Sequence, residues 1–234
     1  MIKLTQQDHI SILTMDGAEG NAFDLEFLAA LHESLDAVEA AADGPAALVI
    51  TGSGKAFSAG LNVAALMGYQ QEQLKTFGIE IRRLYGRLIN FPLPTIAAIN
   101  GHAFAAGAFL ALACDYRVMR EDRGWFCISE VDVGVPINPD VLAVAQLKLA
   151  PSVLRDAVLM GKRFGGPECV NLRIADAACS EDSLIPSAVE LITALSTKER
   201  EIFAVLKATL YASYATTLGA TESTVKLKAG TIQL

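Results

Sequence analysis

The segment that decides the fold is residues 100–110, Asn-Gly-His-Ala-Phe-Ala-Ala-Gly-Ala-Phe-Leu. It follows residues 94–100, Pro-Thr-Ile-Ala-Ala-Ile-Asn, a short apolar run typical of a strand covered on both faces. The small apolar residues from 105 to 113 predict a buried helix that packs closely against its neighbours. A loop between a buried strand and a helix presents backbone N–H groups at the helix start, where they can stabilise a developing negative charge.

The same order of strand, loop and helix occurs once earlier in the chain. Residues 46–51, Ala-Ala-Leu-Val-Ile-Thr, predict a second buried strand, and residues 74–89 predict a helix. Between them lies the loop 52–62, Gly-Ser-Gly-Lys-Ala-Phe-Ser-Ala-Gly-Leu-Asn. Neither loop has the glycine pattern of a dinucleotide site or of a P-loop. One N–H group from each loop would make a pair of donors for an oxyanion.

The rest of the chain continues the alternation and indicates an α/β fold. We expect a first strand at 9–15 and a helix capped by Asp24, because the leucines after it follow a helical period. Further strands are expected at 116–119, 125–129 and 175–179, and further helices at 140–149, 151–160, 183–195 and 198–217. We therefore divide the chain into a core, 1–182, and a helical C-terminal region, 183–234, that caps the core or pairs with another subunit.

Composition excludes several classes of protein. The 234 residues carry 19 Lys plus Arg and 26 Asp plus Glu, a formal charge of −7, and 52% are apolar, so the chain can fill a core and is not disordered. The excess of acid disfavours nucleic acid as a partner. No apolar run reaches the roughly 18 residues of a membrane helix, and no signal peptide is recognisable, which favours the cytoplasm. The four cysteines lack metal-ligand spacing and are expected to be free thiols.

Residues 129–136, Ser-Glu-Val-Asp-Val-Gly-Val-Pro, contain the carboxylates that are candidates for proton transfer. Taken alone, Glu130 is more often a solvated surface carboxylate than a catalytic one. Asp132 would face the other side on a strand, and it is the reserve base if the local chain is a turn.

Three other polar residues have simpler interpretations. His102 has no visible acidic partner and is expected to be a hydrogen-bonded packing histidine. Ser58 lacks the Gly-x-Ser-x-Gly context of a nucleophile. Asp115 follows the buried helix and is expected to cap it or to pair locally with Arg117.

Three motifs, in their order and spacing, resemble those of the crotonase, or enoyl-CoA hydratase/isomerase, superfamily. They are Lys-Ala-Phe-Ser-Ala-Gly at 55–60, Asn-Gly-His-Ala-x-Ala-Ala-Gly at 100–107 with Cys-Asp-Tyr-Arg at 114–117, and Ser-Glu-Val-Asp-Val-Gly at 129–134. The resemblance covers nearly the whole chain. It implies a spiral of β-β-α units, a helical C-terminal region used in homotrimers or hexamers, and acyl-CoA thioester substrates.

The resemblance also implies roles for single residues. The N–H groups of Leu61 and Ala106 match the pair that binds the thioester oxygen as it becomes an enolate. Many relatives carry glycine at the second place, but alanine keeps the N–H. The remaining positions that the resemblance assigns to substrate binding are Lys55, Ala56, Phe57, Ala59, Gly60, Asn62, Gly107 and Phe109.

The number of acids then separates the possible reactions. Enoyl-CoA hydratases use two glutamates; the first position is Phe109 here, and the second is Glu130. A single glutamate resembles the Δ3,Δ2-enoyl-CoA isomerases, in which Glu130 would move a proton from C2 to C4. No metal or redox cofactor is implied, since coenzyme A is part of the substrate. Hydration, thioester hydrolysis and acyl-CoA binding without turnover are the alternatives.

Overall fold

The computed structural model describes residues 1–42, 44 and 46–217. The strands in this part are β1 Ile2–Gln7, β2 Ile10–Met15, β3 Ala47–Gly52, β4 Ala56–Ser58, β5 Thr95–Ile99, β6 His102–Phe104, β7 Tyr116–Arg120, β8 Phe126–Cys127 and β9 Ala177–Cys179. The helices are α1 Ala18–Asn21, α2 Leu25–Ala41, α3 Val63–Met67, α4 Gln71–Ile89, α5 Ala106–Ala113, α6 Glu130–Val133, α7 Pro139–Lys148, α8 Pro151–Met160, α9 Gly166–Asn171, α10 Leu184–Ser196, α11 Arg200–Leu210 and α12 Ala212–Thr217.

A six-stranded sheet lies at the centre of the molecule, in the order β1-β2-β3-β5-β7-β9. The pair β1 and β2 is antiparallel, and the remaining neighbours are parallel. All residues of β3 and β5 are buried, as their continuous apolar sequences predicted. On one face, Leu184, Ala188 and Ile192 of α10 pack against the sheet. The large core that includes α2, α4 and α5 covers the other face.

A second, parallel sheet has the order β4-β6-β8. Each of its strands follows directly on a strand of the central sheet: β4 on β3, β6 on β5 and β8 on β7. The chain thus repeats a unit of two strands followed by helix, which confirms the expected spiral of β-β-α units. The predicted strand at 125–129 is shorter than expected, because the chain turns into α6 at Glu130.

The predicted helices are present within a few residues of their expected bounds. Asp24 caps α2, since its carboxylate accepts a hydrogen bond from Phe27 N at 2.9 Å. The expected helices at 183–195 and 198–217 correspond to α10, α11 and α12, and the remainder of the C-terminal region lies outside the described residues. Within the part that the structure describes, no helix has both the length and the apolar character needed to cross a bilayer.

Asp115 has a different partner from the one expected. Its Oδ2 is 2.7 Å from Lys207 Nζ of α11 and accepts hydrogen bonds from both the backbone N and the hydroxyl of Thr95, each at 2.9 Å. Arg117 Nη2 lies 3.8 Å from Asp176 Oδ2 instead. The local pairing of Asp115 with Arg117 was therefore a wrong prediction, because the true partner is 92 positions away in sequence.

Candidate active site

A cavity of about 510 Å³ opens where the two strand-following loops meet α4, α5 and the segment after β8. Most of its lining is apolar. The lining residues are Ala59, Leu61, Val63, Phe77, Ile81, Tyr85, Ala105, Ala106, Phe109, Ser129, Glu130, Val133, Val135, Pro136, Ile137, Asn138 and Val141. Leu61, Ala106, Phe109 and Glu130, which come from three separate motifs, lie around this one space.

The first loop is held in place by Phe23. Phe23 N donates to Gly60 O at 2.7 Å, and Asn62 N donates to Phe23 O at 2.9 Å. Leu61 lies between these two bonds, and its N–H has no hydrogen-bond partner among the residues described. Gly60 has a φ of +95°, and a Cβ there would lie 2.9 Å from Ala105 Cβ, so glycine permits the close approach of the two loops.

The second loop carries a strained residue directly before α5. Ala105 has φ 49° and ψ −120°, a conformation that non-glycine residues rarely adopt. Its N–H donates to Cys127 O at 2.9 Å, and its carbonyl accepts from Ala108 N and Phe109 N. Ala106 follows as the first residue of α5, and within the described chain its N–H has no partner. The loops thus bring two unpaired N–H groups to one cavity, at or next to the positive end of a helix.

Glu130 is the first residue of α6 and is half-buried. Of the lining residues, it is the only one that carries a carboxylate. Its Oε2 is buried and accepts no hydrogen bond from the described residues. Burial raises the pKa of Glu130, and a hydrogen bond from its own backbone N–H opposes this in part. A carboxylate with one oxygen free of hydrogen bonds and a raised pKa, in an apolar cavity, is suited to taking up a proton and returning it.

Phe109, at the position where the resemblance expects the first glutamate of a hydratase, lines the cavity. Its side chain is 1% exposed, and its ring centroid lies 6.2 Å from that of Tyr85. Tyr85, Phe77 and Ile81 are lining residues that the sequence analysis did not identify. Their spacing of four residues places them on one face of α4, and this apolar period was visible in the sequence.

The other positions assigned to substrate binding are distributed differently. Ala59 lines the cavity, whereas the residues of this group outside the lining are Lys55, Ala56, Phe57, Gly60, Asn62 and Gly107. Phe57 is fully buried in β4. Asn62 caps α3 by accepting from Ala65 N and also donates to Asp24. For all the positions assigned to substrate binding, those in the lining included, contact with the substrate stays a prediction.

The alternative catalytic residues lie outside the cavity lining. Asp132 shares the helical turn of Glu130, but it is exposed and lies beside Gly161. Ser58 donates its hydroxyl to Asn21 O at 2.8 Å and is buried, so its proton is held by a carbonyl. His102 packs against Phe104, and its buried Nδ1 has no hydrogen-bond partner among the described residues, although a hydrogen-bonded histidine was expected. Burial and the charges of two arginines lower the pKa of His102.

Residues 5–229 match the family model described as enoyl-CoA hydratase/isomerase. The chain belongs to the enoyl-CoA hydratase/isomerase family. An enoyl-CoA delta isomerase 3 of Arabidopsis thaliana is 31% identical over 219 residues, which are 90% of this chain and 92% of that protein. A putative enoyl-CoA hydratase of Thermus thermophilus is 39% identical over 161 residues, 67% and 62% of the two chains.

Solved structures of the enoyl-CoA hydratase/isomerase family share the fold. The crystal structure of a probable enoyl-CoA hydratase from Mycobacterium tuberculosis superposes with a TM-score of 0.87 at 27% identity, over 94% of this chain and 92% of that one. Isomerases and hydratases both occur among these relatives. The choice between the two reactions therefore rests on the residues of the cavity.

Proposed function

We propose that this family member is an enoyl-CoA isomerase that shifts a double bond from position 3 to position 2 of an acyl-CoA. The proposal rests on one observation: the apolar cavity is lined by a single carboxylate, Glu130, and by the apolar side chain of Phe109. Hydration needs groups to activate a water and to deliver a proton, whereas a double-bond shift needs one group that moves a proton between two carbons.

The proposed reaction has two proton transfers. The Glu130 carboxylate removes a proton from C2, and the electrons of that C–H bond move toward the thioester, giving a dienolate. The N–H groups of Leu61 and Ala106 stabilise its oxygen. The protonated Glu130 then donates the proton to C4: the C3–C4 double bond supplies the electrons of the new C–H bond, the C1–C2 double bond of the dienolate moves to C2–C3, and the thioester carbonyl is restored. Substrate and product have the same oxidation state, so the proposed reaction consumes no oxidant or reductant.

The burial of Glu130 supports this cycle. A carboxylate in an apolar environment is a stronger base than one in water, because burial disfavours its charged form. The unpaired N–H groups are fixed before the reaction, so their orientation costs little when the negative charge develops. The apolar side chains around them, Phe109 above all, limit the access of water that would otherwise add to the product.

The test is the conversion of a 3-enoyl-CoA to the conjugated 2-enoyl-CoA, followed by ultraviolet absorbance. We expect Glu130→Gln to lower kcat by at least about a thousandfold, because the amide cannot accept the proton. Asp132→Asn, on the same turn but outside the lining, is the matched control and should stay within about twofold of wild type. Binding of a saturated acyl-CoA should survive in both variants. Full activity of Glu130→Gln would refute the assignment.

Hydration and binding without turnover are tested on the same protein. Rapid addition of water to crotonyl-CoA by the wild-type enzyme would show that one carboxylate suffices for hydration. If the protein binds an acyl-CoA but exchanges no C2 proton with deuterated water, the chain is an acyl-CoA-binding protein rather than an enzyme. The proposal requires exchange of that proton and slow hydration.

Assembly into a homotrimer or hexamer is part of the proposal. Leu206 and Leu210 of α11 are 63% and 70% exposed, and a second copy of the chain would cover such an apolar face. Sedimentation of the purified protein tests the assembly. The cytoplasmic location stays the prediction made from the sequence.

A further inference from the structure

Tyr85 connects α4 to the start of α5. Its side chain is fully buried, and its hydroxyl donates a hydrogen bond to Ala106 O at 2.9 Å. Ala106 is also the residue whose N–H is proposed to bind the thioester oxygen. The tyrosine ring lines the cavity next to Phe109, so the contact lies at the edge of the site itself.

This hydrogen bond is additional to those that the backbone requires. Ala106 is the first residue of α5, and the helical N–H four positions later already reaches its carbonyl. Removal of the tyrosine hydroxyl would therefore not leave a buried carbonyl without a partner. The role of the bond is to restrict where Ala106 can move.

Ala106 needs such restriction because of the residue before it. The backbone of Ala105 is strained, and a strained conformation persists only where the surroundings fix it on several sides. On one side the N–H of Ala105 donates to Cys127 O at 2.9 Å. On the other side, Ala105 O accepts from Ala108 N and Phe109 N, and the hydroxyl of Tyr85 adds a side-chain bond at Ala106 O. The helical bonds would remain without that hydroxyl, so its loss would let the Ala106 N–H shift from its direction into the cavity without letting the peptide turn over.

We infer that Tyr85 is a positioning residue, which holds the Ala106 N–H in the orientation that polarises the thioester carbonyl of an acyl-CoA. The inference rests on the proposed function, because it assumes that Ala106 contacts the thioester. It assigns Tyr85 no proton transfer, since the hydroxyl hydrogen is directed at Ala106 O rather than at the substrate.

The protonation state of Tyr85 allows its hydroxyl to donate to Ala106 O at every pH at which the enzyme works. Burial, together with the charge of Glu130, holds the pKa of Tyr85 well above that of a free tyrosine. The hydroxyl therefore keeps its hydrogen throughout the working range of Glu130. A residue that only positions Ala106 should leave the pH dependence of the reaction unchanged.

The test is Tyr85→Phe, which keeps the ring and its packing and removes the donor. We expect kcat for the 3-enoyl-CoA to fall about tenfold with KM changed less than about twofold, a smaller loss than removal of an oxyanion donor itself. The midpoint of the fall in rate at acid pH should be the same in Tyr85→Phe as in wild type. Tyr211→Phe is the matched control, because it also removes a tyrosine hydroxyl that makes a hydrogen bond, in that case one accepted from Lys148 Nζ, and Tyr211 lies outside the cavity lining.

The direct readout is the infrared stretch of an isotope-labelled thioester carbonyl in a bound saturated acyl-CoA. Binding to wild type should lower this frequency, and the lowering should be clearly smaller in Tyr85→Phe. The frequency reports only bound ligand, so partial unfolding of the variant does not change it. An unchanged frequency with an unchanged kcat would overturn the inference, as would a loss confined to KM.

Failure of the inference can be distinguished from failure of the proposed function. If wild type lowers the carbonyl frequency in a Tyr85-dependent way but converts no 3-enoyl-CoA, the isomerase assignment is wrong and the positioning role stands. If wild type isomerises the substrate and Tyr85→Phe does so equally well with the same carbonyl frequency, the positioning role is wrong and the isomerase assignment stands.

Discussion

Two carboxylates of this chain are shielded from water, but they differ in their hydrogen-bond partners. Asp115 accepts two hydrogen bonds from Thr95 and lies 2.7 Å from Lys207 Nζ. Glu130 has a buried oxygen with no partner among the described residues, and its pKa is raised by burial. A buried carboxylate that is paired and hydrogen-bonded has its desolvation cost offset, whereas one without partners costs stability. Such a cost is common at sites where the group does chemistry.

The largest effect on stability is expected at the satisfied carboxylate. Asp115→Asn would leave the ammonium of Lys207, which is 3% exposed, buried without its counter-charge. Breaking a buried pair in this way should lower the free energy of unfolding by about 3 kcal/mol. Denaturant unfolding measures the loss. The folded fraction should keep its kcat, and a selective loss of kcat would mean that Asp115 takes part in the reaction.

Removal of the Glu130 carboxylate should change the free energy of unfolding in the opposite direction from removal of the Asp115 carboxylate. The folded-state pKa of Glu130 lies above the ordinary value of a glutamate, so ionised Glu130 destabilises the folded protein fully at pH values above that pKa, and this penalty is lost as pH falls from there to the ordinary value. We expect Glu130→Gln to be more stable than wild type at neutral pH, by about 1.4 kcal/mol for each pH unit by which the pKa is raised.

The same pKa sets the pH dependence of the reaction. Glu130 must be unprotonated to accept the C2 proton, so kcat/KM should fall as pH drops through a pKa above the ordinary glutamate range. Rates of isomerisation across the acid range, with unfolding curves of both proteins at the same pH values, check both effects. If the wild-type protein were more stable than Glu130→Gln at neutral pH, ionised Glu130 would not destabilise the folded protein.

A similar contrast, between a paired group and an exposed one, applies to two lysines, and the smallest predicted effect is on KM at the exposed one. Lys207 is buried and paired, whereas Lys55 lies exposed on the first loop. The chain carries a formal charge of −7 and coenzyme A is itself anionic, so attraction has to be local. Lys55→Ala should raise KM a few-fold, about 1 kcal/mol or less, with kcat unchanged. An unchanged KM at low ionic strength would remove Lys55 from the proposed binding site.

Local sequence patterns predicted much of the fold, and the resemblance to a family named the residues expected at the site. The buried strands β3 and β5 were visible as continuous apolar runs, and the motifs that follow them place Leu61 and Ala106 at one cavity. Two strands of the second sheet, β4 and β6, were missed because strands of three residues have no measurable period, whereas β8 was predicted but longer than it is. Sequence patterns of this kind report burial along an element and little about very short segments.

Contacts between distant residues account for the remaining differences. Nothing near Asp115 in sequence points to Lys207, and nothing near Tyr85 points to Ala106, 21 positions later. The helical turn at Glu130 also could not be read from alternating valines, which predict a strand as readily. Each of these features depends on how the spiral brings separate β-β-α units together.

The most direct test of the account is a labelled-substrate experiment on the wild-type enzyme. A 3-enoyl-CoA that carries deuterium at C2 is converted in ordinary water under single-turnover conditions, and the product is analysed by mass spectrometry and NMR. If Glu130 alone carries the proton from C2 to C4, part of the deuterium should be found at C4 of the 2-enoyl-CoA. Isomerised product without any deuterium at C4, or a hydrated product in its place, would contradict the single-carboxylate account.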